Sequence, residues 1–398
     1  MSSPRHAIVI GAGLAGAAVA RALTSAGWQV QLLDAQSGPA RRASALPVGM
    51  LSPHVTRSPT PMSRLSAIGV ADTRAYLRER IAEGAGWQDT EVDNLGHDPG
   101  RWPAAMVRPS ALVHVWLEEA RQTGRLVCHW STQADRIVGA GNGSRDAGWL
   151  VLGADGQAIA AAPVVVVAGA WGSSALLRAS FGFDQDELPL RPVKGQLSYG
   201  PWAGTPLSPR PCRNNGVFIP CYEDQAMPDG LGGRMWAMGS TYERGVDDRV
   251  VSLQAHEKNL ASLHQLHPQA AGHMAQQMQA GELQGWADVR CASLDRLPLL
   301  GTLPDPQALR AFKASGASSR VTRLALEQCP RLDGIHVLAA LGSRGITLAH
   351  SCGRWLQQHL DQHPMELPED LRRAMDPARF AWRQLRKQTV RSPEPAGH

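Results

Sequence analysis

Ala7-Ile8-Val9-Ile10-Gly11-Ala12-Gly13-Leu14-Ala15-Gly16 is the stretch on which the fold turns: four apolar residues of strand character run directly into three glycines at the spacing Gly-x-Gly-x-x-Gly. Gly11 permits a tight strand-to-helix turn, Gly13 lets the backbone approach a pyrophosphate, and Gly16 lets the following helix pack closely on the strand. The alanine-rich segment after it (Ala15, Ala17, Ala18, Ala20, Ala22) reads as that helix, and Trp28 to Leu33 as a second strand ending on Asp34. Together these form a complete dinucleotide-binding βαβ unit. The pyrophosphate sits on the helix N-terminus, where free N–H groups and the helix dipole favour anions, and Asp34 accepts hydrogen bonds from a ribose. An acid at that point favours an unphosphorylated ribose, hence FAD or NAD over NADP.

The rest of the chain is read outward from this unit. Its 398 residues are too many for one simple core, so two domains are expected. A composition of 43% hydrophobic and 19% charged residues is that of an ordinary soluble protein. The six cysteines contain no Cys-x-x-Cys pair, which argues against a zinc ribbon, a redox dithiol or a disulfide scaffold and points to a reducing cytoplasm. The apolar stretch Ala7 to Leu23 is broken by three glycines and Arg21, so it is a βα unit and not a membrane span. A net charge of +5 permits an anionic partner without demanding one.

Pro109 to Thr123 carries Leu112, Val113, Trp116, Leu117 and Ala120 at helical spacing, and Arg125 to Cys128 follows as a strand. Trp149 to Leu152 and the strand after Gly153-Ala154-Asp155-Gly156 read as a hairpin. Pro163-Val164-Val165-Val166-Val167-Ala168-Gly169-Ala170-Trp171-Gly172 suits a buried parallel strand whose terminal turn approaches a ligand. From Leu188 to Gly301 the texture changes to short strands with polar turns and one long helical stretch, Ser252 to Ala280. Asp305 to Arg331 is poorly patterned and reads as a loop or mobile insertion. Gly334 to Leu341 is again a buried strand, and Gly342-Ser343-Arg344-Gly345 followed by Ile346 to Leu360 repeats the strand, glycine turn and helix of the N-terminus.

Two segments offer chemistry. Gly342-Ser343-Arg344-Gly345 combines a helix start with a guanidinium, both of which stabilise negative charge such as that developing on a reduced flavin; the alternative is a glycine-rich loop with a solvated arginine. In Arg290-Cys291-Ala292-Ser293-Leu294-Asp295-Arg296, an arginine in a closed pocket could grip a carboxylate bidentately, against the alternative of a salt bridge from Arg290 or Arg296 to Asp295.

Taken in order, these segments resemble the D-amino-acid-oxidase-like superfamily of FAD-dependent oxidoreductases over nearly the whole chain. The resemblance is carried by the N-terminal glycines, Ala43-Ser44 with Gly49-Met50-Leu51-Ser52-Pro53, Ala168-Gly169-Ala170-Trp171, Pro192 to Gln196, Gly239 to Glu243, Arg290 to Gly301 and Gly342 to Gly345. A narrower resemblance, on Leu188 to Ser198, Leu338 to Ile346 and Asp376 to Phe380, is to the oxidoreductase domains of the MnmC family of tRNA wobble-uridine enzymes. The superfamily implies an α/β Rossmann-like FAD-binding domain, discontinuous in sequence (1–60, 106–187 and 330–363), and a mixed-sheet α+β substrate domain (61–105 and 188–329), followed by a basic tail (364–398).

The narrower resemblance implies oxidation of an N-substituted glycine on a tRNA uridine to an imine that hydrolyses to an aminomethyluridine and glyoxylate. Arg290 would hold the carboxylate, Arg344 would line the flavin edge, and Tyr242 and Lys194 are further pocket candidates. Residues expected at FAD are Gly11, Ala12, Gly13, Leu14, Ala15, Gly16, Asp34, Ala43, Ser44, Gly49, Ala168, Gly169, Trp171, Gly342, Ser343, Arg344, Gly345 and Ile346. The spacing of Cys291 to Asp295 does not match members that attach flavin through cysteine, so FAD is expected to be non-covalent. No general base is needed if the amine binds unprotonated. Because the chain starts at the first strand, the methylation step is expected to fall to a separately encoded methyltransferase or not to occur.

His256, His264, His267 and His273 share a helical region, but no carboxylate or cysteine completes a metal set, and they read as surface histidines. In the tail, Arg372, Arg373, Arg379, Arg383, Arg386, Lys387 and Arg391 interleave with Phe380 and Trp382, a candidate tRNA contact or a solvated basic helix. Two other functions stay open: oxidation of a free small amino acid such as glycine or sarcosine, and tRNA binding by a flavoprotein without turnover.

Overall fold

A computed structural model describes residues 5–141, 148–202, 204–227, 231, 233–314 and 325–389. The strand His6–Ile10 lies inside a six-stranded sheet, paired in parallel with Gln29–Leu33 on one side and Val164–Val167 on the other. Leu126–His129 extends the sheet beyond the second strand; Arg331–Ala339 extends it beyond the valine strand, in parallel register Val165 to Ile335. Leu299–Pro304 closes that edge antiparallel, with Leu299 opposite Ala339.

Alternate residues of these strands feed two cores, as a sheet covered on both faces requires. Ala7 and Val9 face helices Leu14–Ser25, Pro109–Gln122, Gly345–Leu360 and Pro61–Arg80, whose Trp116, Trp355, Leu65 and Leu77 are buried with them. Ile8, Val165 and Val167 face a three-stranded sheet (Arg136–Gly139, Trp149–Leu152, Ala158–Ala162) and helix Gly172–Phe181.

Two segments fall on the other side of the expected division. Helix Pro61–Arg80, expected with the second domain, joins the first core. Gly69 lets it lie against the final helix, where a Cβ would come 2.3 Å from the Thr347 carbonyl. A capping box between Thr60 and Ser63, with Pro61 in the first turn, sets where it starts. Leu299–Pro304, also expected there, is an edge strand of the first sheet.

The second sheet has nine strands, in the order Glu243–Arg244, Leu190–Pro201, Arg234–Gly239, Gly216–Glu223, Cys212–Asn214, Trp87–Asn94, Gly100–Val107 and Gly49–Leu51, with Gln284–Ser293 pairing along Leu190–Pro201. The expected long helix is two, Leu253–Leu266 and Pro268–Ala280, because Pro268 cannot donate to the preceding turn and His267 is extended (φ −156°). The His267 ring instead accepts from the Ala270 N–H. His256 is buried against Ser198 and so is not a surface histidine, while His273, partly exposed, packs edge-on against Trp202. No group of histidine, cysteine and carboxylate that could hold a metal occurs among the described residues. Likewise, none of the described helices is long and apolar enough to cross a membrane.

The C-terminal segment is not a free basic tail over its described length. Helices Glu369–Met375 and Arg379–Thr389 pack on the body, burying Leu371, Phe380, Ala381 and Leu385. Arg379 is itself buried, forking onto both oxygens of Asp295 at 2.9 and 2.8 Å, and Arg373 pairs with Glu327 and Glu369. Arg372 approaches Glu369, Arg383 approaches Asp295, and Arg386 lies over the Trp382 ring. Arg391 and the Lys387 side chain lie outside the described residues. Within the segment expected to be a loop, Pro306–Ala314 is helical and Arg310 pairs with Glu187; Arg320, Arg323 and the Lys313 side chain lie outside the described residues.

Candidate active site

A cleft of about 890 Å³ opens where the ends of the first sheet meet the second. Its floor is the glycine turn. Gly11 has φ +107° and packs so closely on the end of the valine strand that a Cβ would lie 2.6 Å from the Ala168 carbonyl. A Cβ on Gly16 would lie 1.7 Å from the Gly11 carbonyl, so only glycine lets the helix start this close to its strand. Gly11, Ala12, Gly13, Leu14 and Ala15 line the cleft, and Gly16 sits behind them as the packing residue. Asp34 bridges this turn to the second strand: one carboxylate oxygen accepts from the Ala12 N–H (2.6 Å) and the other from Gln36 N–H (2.8 Å).

The turn Ala43–Ala45 closes over the helix start, with Ser44 Oγ accepting from the Leu14 N–H at 3.0 Å. Ala43, Ser44, Gly49, Ala168, Gly169 and Trp171 all face the cleft. So does the whole turn Gly342 to Ile346. Gly345 meets Leu14, and Gly353 packs on the backbone of Ala18, so the final helix begins beside the first. Neither helix is capped by the side chain of its own N-cap residue, Gly13 or Arg344. Two helix N-termini therefore bring positive dipole ends to one cleft.

Three arginines, Arg344, Arg213 and Arg290, face the same space. Arg344 donates to His54 Nδ1 at 3.1 Å, and its burial depresses its pKa. Burial and the nearby Arg344, Arg296 and Arg213 bring His54 down to about 4, leaving it neutral and able to accept that bond. Arg213 donates to Asn94 Oδ1, Ser52 Oγ and the Pro53 carbonyl; its Nη2 is buried without a partner, and burial beside Arg344 lowers it to about 10. Arg290 donates to the Thr241 carbonyl at 2.9 Å and lies 5.6 Å from the centroid of the Tyr242 ring. Among the described residues no carboxylate comes within ion-pair distance of Arg290, Arg344 or Arg213. Asp295, the sequence alternative for Arg290, is taken by Arg379.

Lys194 does not face the cleft. It alternates with Gly195, which does, and so points to the opposite side of its strand, where its ammonium meets Asp248 at 2.5 Å. Sequence reasoning missed His54, Arg213, Trp286 and Asp288, all of which line the cleft. Trp286 and Asp288 precede Arg290 at two-residue intervals on one strand, a signal available once Arg290 is placed. His54 directly follows the Gly49 to Pro53 segment. Arg213 has no signal of its own.

The family profile described as DAO, FAD dependent oxidoreductase, matches residues 6–106 and 100–359. The chain belongs to this family. It therefore uses FAD, and the cleft fits that cofactor: it has the volume for a large ligand, a close-approach glycine turn, two helix starts and uncompensated guanidinium groups. Cys291 borders the cleft as a buried thiol pushed up to about 12, a poor nucleophile.

Curated relatives include proteins named tRNA 5-methylaminomethyl-2-thiouridine biosynthesis bifunctional protein MnmC. That of Verminephrobacter eiseniae is 32% identical over 95% of this chain, and that of Cupriavidus metallidurans 33% identical over 99%. The chain spans 64% and 61% of their lengths. Among solved structures, glycine oxidase from Geobacillus kaustophilus shares the fold at TM-score 0.68 and 18% identity, covering 94% of this chain and 99% of that one. Iminodiacetate oxidase from Chelativorans sp. BNC1 does so at TM-score 0.63 and 20% identity, covering 91% and 97%.

Proposed function

We propose that this FAD-dependent oxidoreductase oxidises the carboxymethylaminomethyl group of a tRNA wobble uridine, releasing glyoxylate and leaving an aminomethyluridine. The observation that carries the proposal is Arg290: a guanidinium inside the cleft, beside the Tyr242 ring, with no carboxylate within ion-pair distance among the described residues. A charge held there without a partner is costly unless a ligand supplies one, and a carboxylate matches its fork bidentately. A substrate that is a glycine bonded through its nitrogen has that carboxylate one carbon from the C–H to be oxidised. The MnmC relatives supply the tRNA half of the proposal.

In this reading the grip of Arg290 orients the glycine α-carbon, and the apolar walls keep water from the reacting atoms. The turn Gly11 to Ala15, Ser44 and the turn Gly342 to Ile346 would hold FAD, which would supply the hydride acceptor. Arg344 and the start of the final helix would stabilise negative charge developing on a reduced flavin. The imine left on the substrate then adds water and breaks its C–N bond. The FAD is held non-covalently, in keeping with the neutral Cys291 thiol. Methylation of the product amine belongs to a different active site.

The basic C-terminal helix contributes less to tRNA binding than its sequence suggests, since Arg379 and Arg373 are engaged by acids of the body. That favours keeping a second reading, oxidation of a free N-substituted glycine, which would use the same grip. Anaerobic mixing of holoenzyme with tRNA bearing carboxymethylaminomethyluridine, and separately with glycine and sarcosine, tests both. Bleaching of the flavin band by the tRNA supports the first reading; bleaching by the free amino acids alone supports the second.

A further inference from the structure

The chemistry above leaves one buried charged group of the cleft unused. Trp286, Asp288 and Arg290 occupy alternate positions on the strand Gln284–Ser293, and all three line the cleft. Asp288 stands directly across the antiparallel ladder from Gly195. The Arg290 guanidinium reaches over that same glycine, so closely that a Cβ there would lie 1.5 Å from Nη2. Residues directly opposite on antiparallel strands have their Cβ positions about 4.5–5.5 Å apart. The guanidinium and the carboxylate are thus neighbours on one wall, yet they form no ion pair with each other within 4.0 Å.

Asp288 is only 7% exposed, and its engagements are slight. Its Oδ1 accepts from the Val289 N–H at 2.5 Å, and the half-exposed Arg249 Nε stands 3.6 Å away. Arg42, on the turn over the first helix, is the other cation acting on it. A cation and an anion side by side in a cleft, and not paired with each other, form a cradle for a zwitterion.

We propose that Asp288 is the amine-binding residue of this site: it holds the substrate's ammonium while Arg290 holds the carboxylate, and it takes the ammonium proton before oxidation. The inference rests on the preceding reading only in requiring an amine one carbon from a carboxylate. In the step assigned to Asp288, one N–H bond of the substrate ammonium breaks and an O–H bond forms on the Asp288 carboxylate. The electron pair stays on nitrogen, and nothing is oxidised or reduced. The freed lone pair then forms the C=N bond as the α-C–H bond breaks, the hydride going to the acceptor that FAD would supply. An amine bound already unprotonated, the sequence expectation, would need no such group; Asp288 lets the enzyme use the protonated form that dominates in neutral water.

The test uses holoenzyme and two inert probes of one shape: trimethylglycine and the anion of tert-butylacetic acid, which has a neutral quaternary carbon in place of the ammonium nitrogen. Binding is read from perturbation of the flavin spectrum. Wild type is expected to prefer trimethylglycine by about tenfold or more, the factor for one partly buried charge pair worth about 1.4 kcal/mol. Asp288→Asn should bring the two affinities together, whereas Arg290→Ala should weaken both. Anaerobic flavin reduction by the amine substrate should be nearly flat with pH near neutrality in wild type. In Asp288→Asn it should climb with pH, about tenfold per unit, toward the wild-type rate.

Equal binding of the isosteres by wild type would overturn the proposal, and so would an Asp288→Asn enzyme with unchanged preference and pH profile. The first comparison needs no variant. If trimethylglycine is preferred but the tRNA does not bleach the flavin, the tRNA reading fails and the role of Asp288 stands.

Discussion

Gly195 and Arg290 share one volume: a Cβ at position 195 would fall 1.5 Å from Arg290 Nη2, so the guanidinium can occupy this position only because residue 195 has no side chain. The same Cβ would meet the Thr241 carbonyl, which accepts from Arg290, at 3.0 Å. Gly195→Ala must therefore move the guanidinium. Displacement of a positioning group by about an ångström costs on the order of a hundredfold in rate. Gly195→Ala holoenzyme is expected to bind FAD with an ordinary visible spectrum and to lose about a hundredfold in flavin reduction by substrate. Stopped-flow reduction checks it, and wild-type reduction by the variant would show that Arg290 does not set the substrate.

Arg344 faces the cleft with a neutral histidine, not a carboxylate, as its partner. Its charge is free to stabilise a reduced, anionic flavin. Arg344→Met should still bind FAD but make the two-electron potential more negative by about 30 mV or more, where 30 mV corresponds to about 1.4 kcal/mol. A spectroelectrochemical titration checks this. An unchanged potential would place Arg344 away from the flavin edge.

The Asp295–Arg379 fork ties the C-terminal helix to the strand end beyond Arg290. Removing Arg379 leaves a half-buried carboxylate, and Arg379→Met should destabilise the fold by about 3 kcal/mol, the lower end for a broken buried pair. Arg379 and the hydrogen bonds from Leu297 and Ser293 outweigh burial and hold the Asp295 pKa below its ordinary value of 3.8. A depressed carboxylate pKa contributes stability that is complete above the unfolded value and is lost as pH falls through the folded one. The acid limb of the unfolding curve, from about pH 4 downward, should therefore flatten in Asp295→Asn relative to wild type. Chemical denaturation across that range measures it.

The nucleotide half of the fold was legible because its constraints are local. Gly16 is dictated by its contact with the Gly11 carbonyl inside the same turn, and the alternation of Ile8 with Ala7 and Val9 announces a sheet covered on both faces. Helix Pro61–Arg80 and the strand Leu299–Pro304 were assigned to the wrong side because nothing within them says which sheet they will meet. Gly69 against Thr347 is a contact across more than 270 residues of sequence. The tail misled for a related reason: Arg379 is basic in sequence but buried against Asp295 in space, 84 residues away. At the site, Lys194 and Gly195 were inseparable until strand register put them on opposite faces. Asp288 escaped notice because its meaning depends on where Arg290 comes to rest.

The most direct test of the central claim is single-turnover, anaerobic reaction of the holoenzyme with tRNA bearing carboxymethylaminomethyluridine, following the flavin band and the released small acid together. Loss of the oxidised flavin band with stoichiometric glyoxylate, abolished in Arg290→Ala, is the expected result. An oxidised flavin band that persists in the presence of that tRNA, while sarcosine or glycine bleaches it, would contradict the claim and place the enzyme among the oxidases of free amino acids.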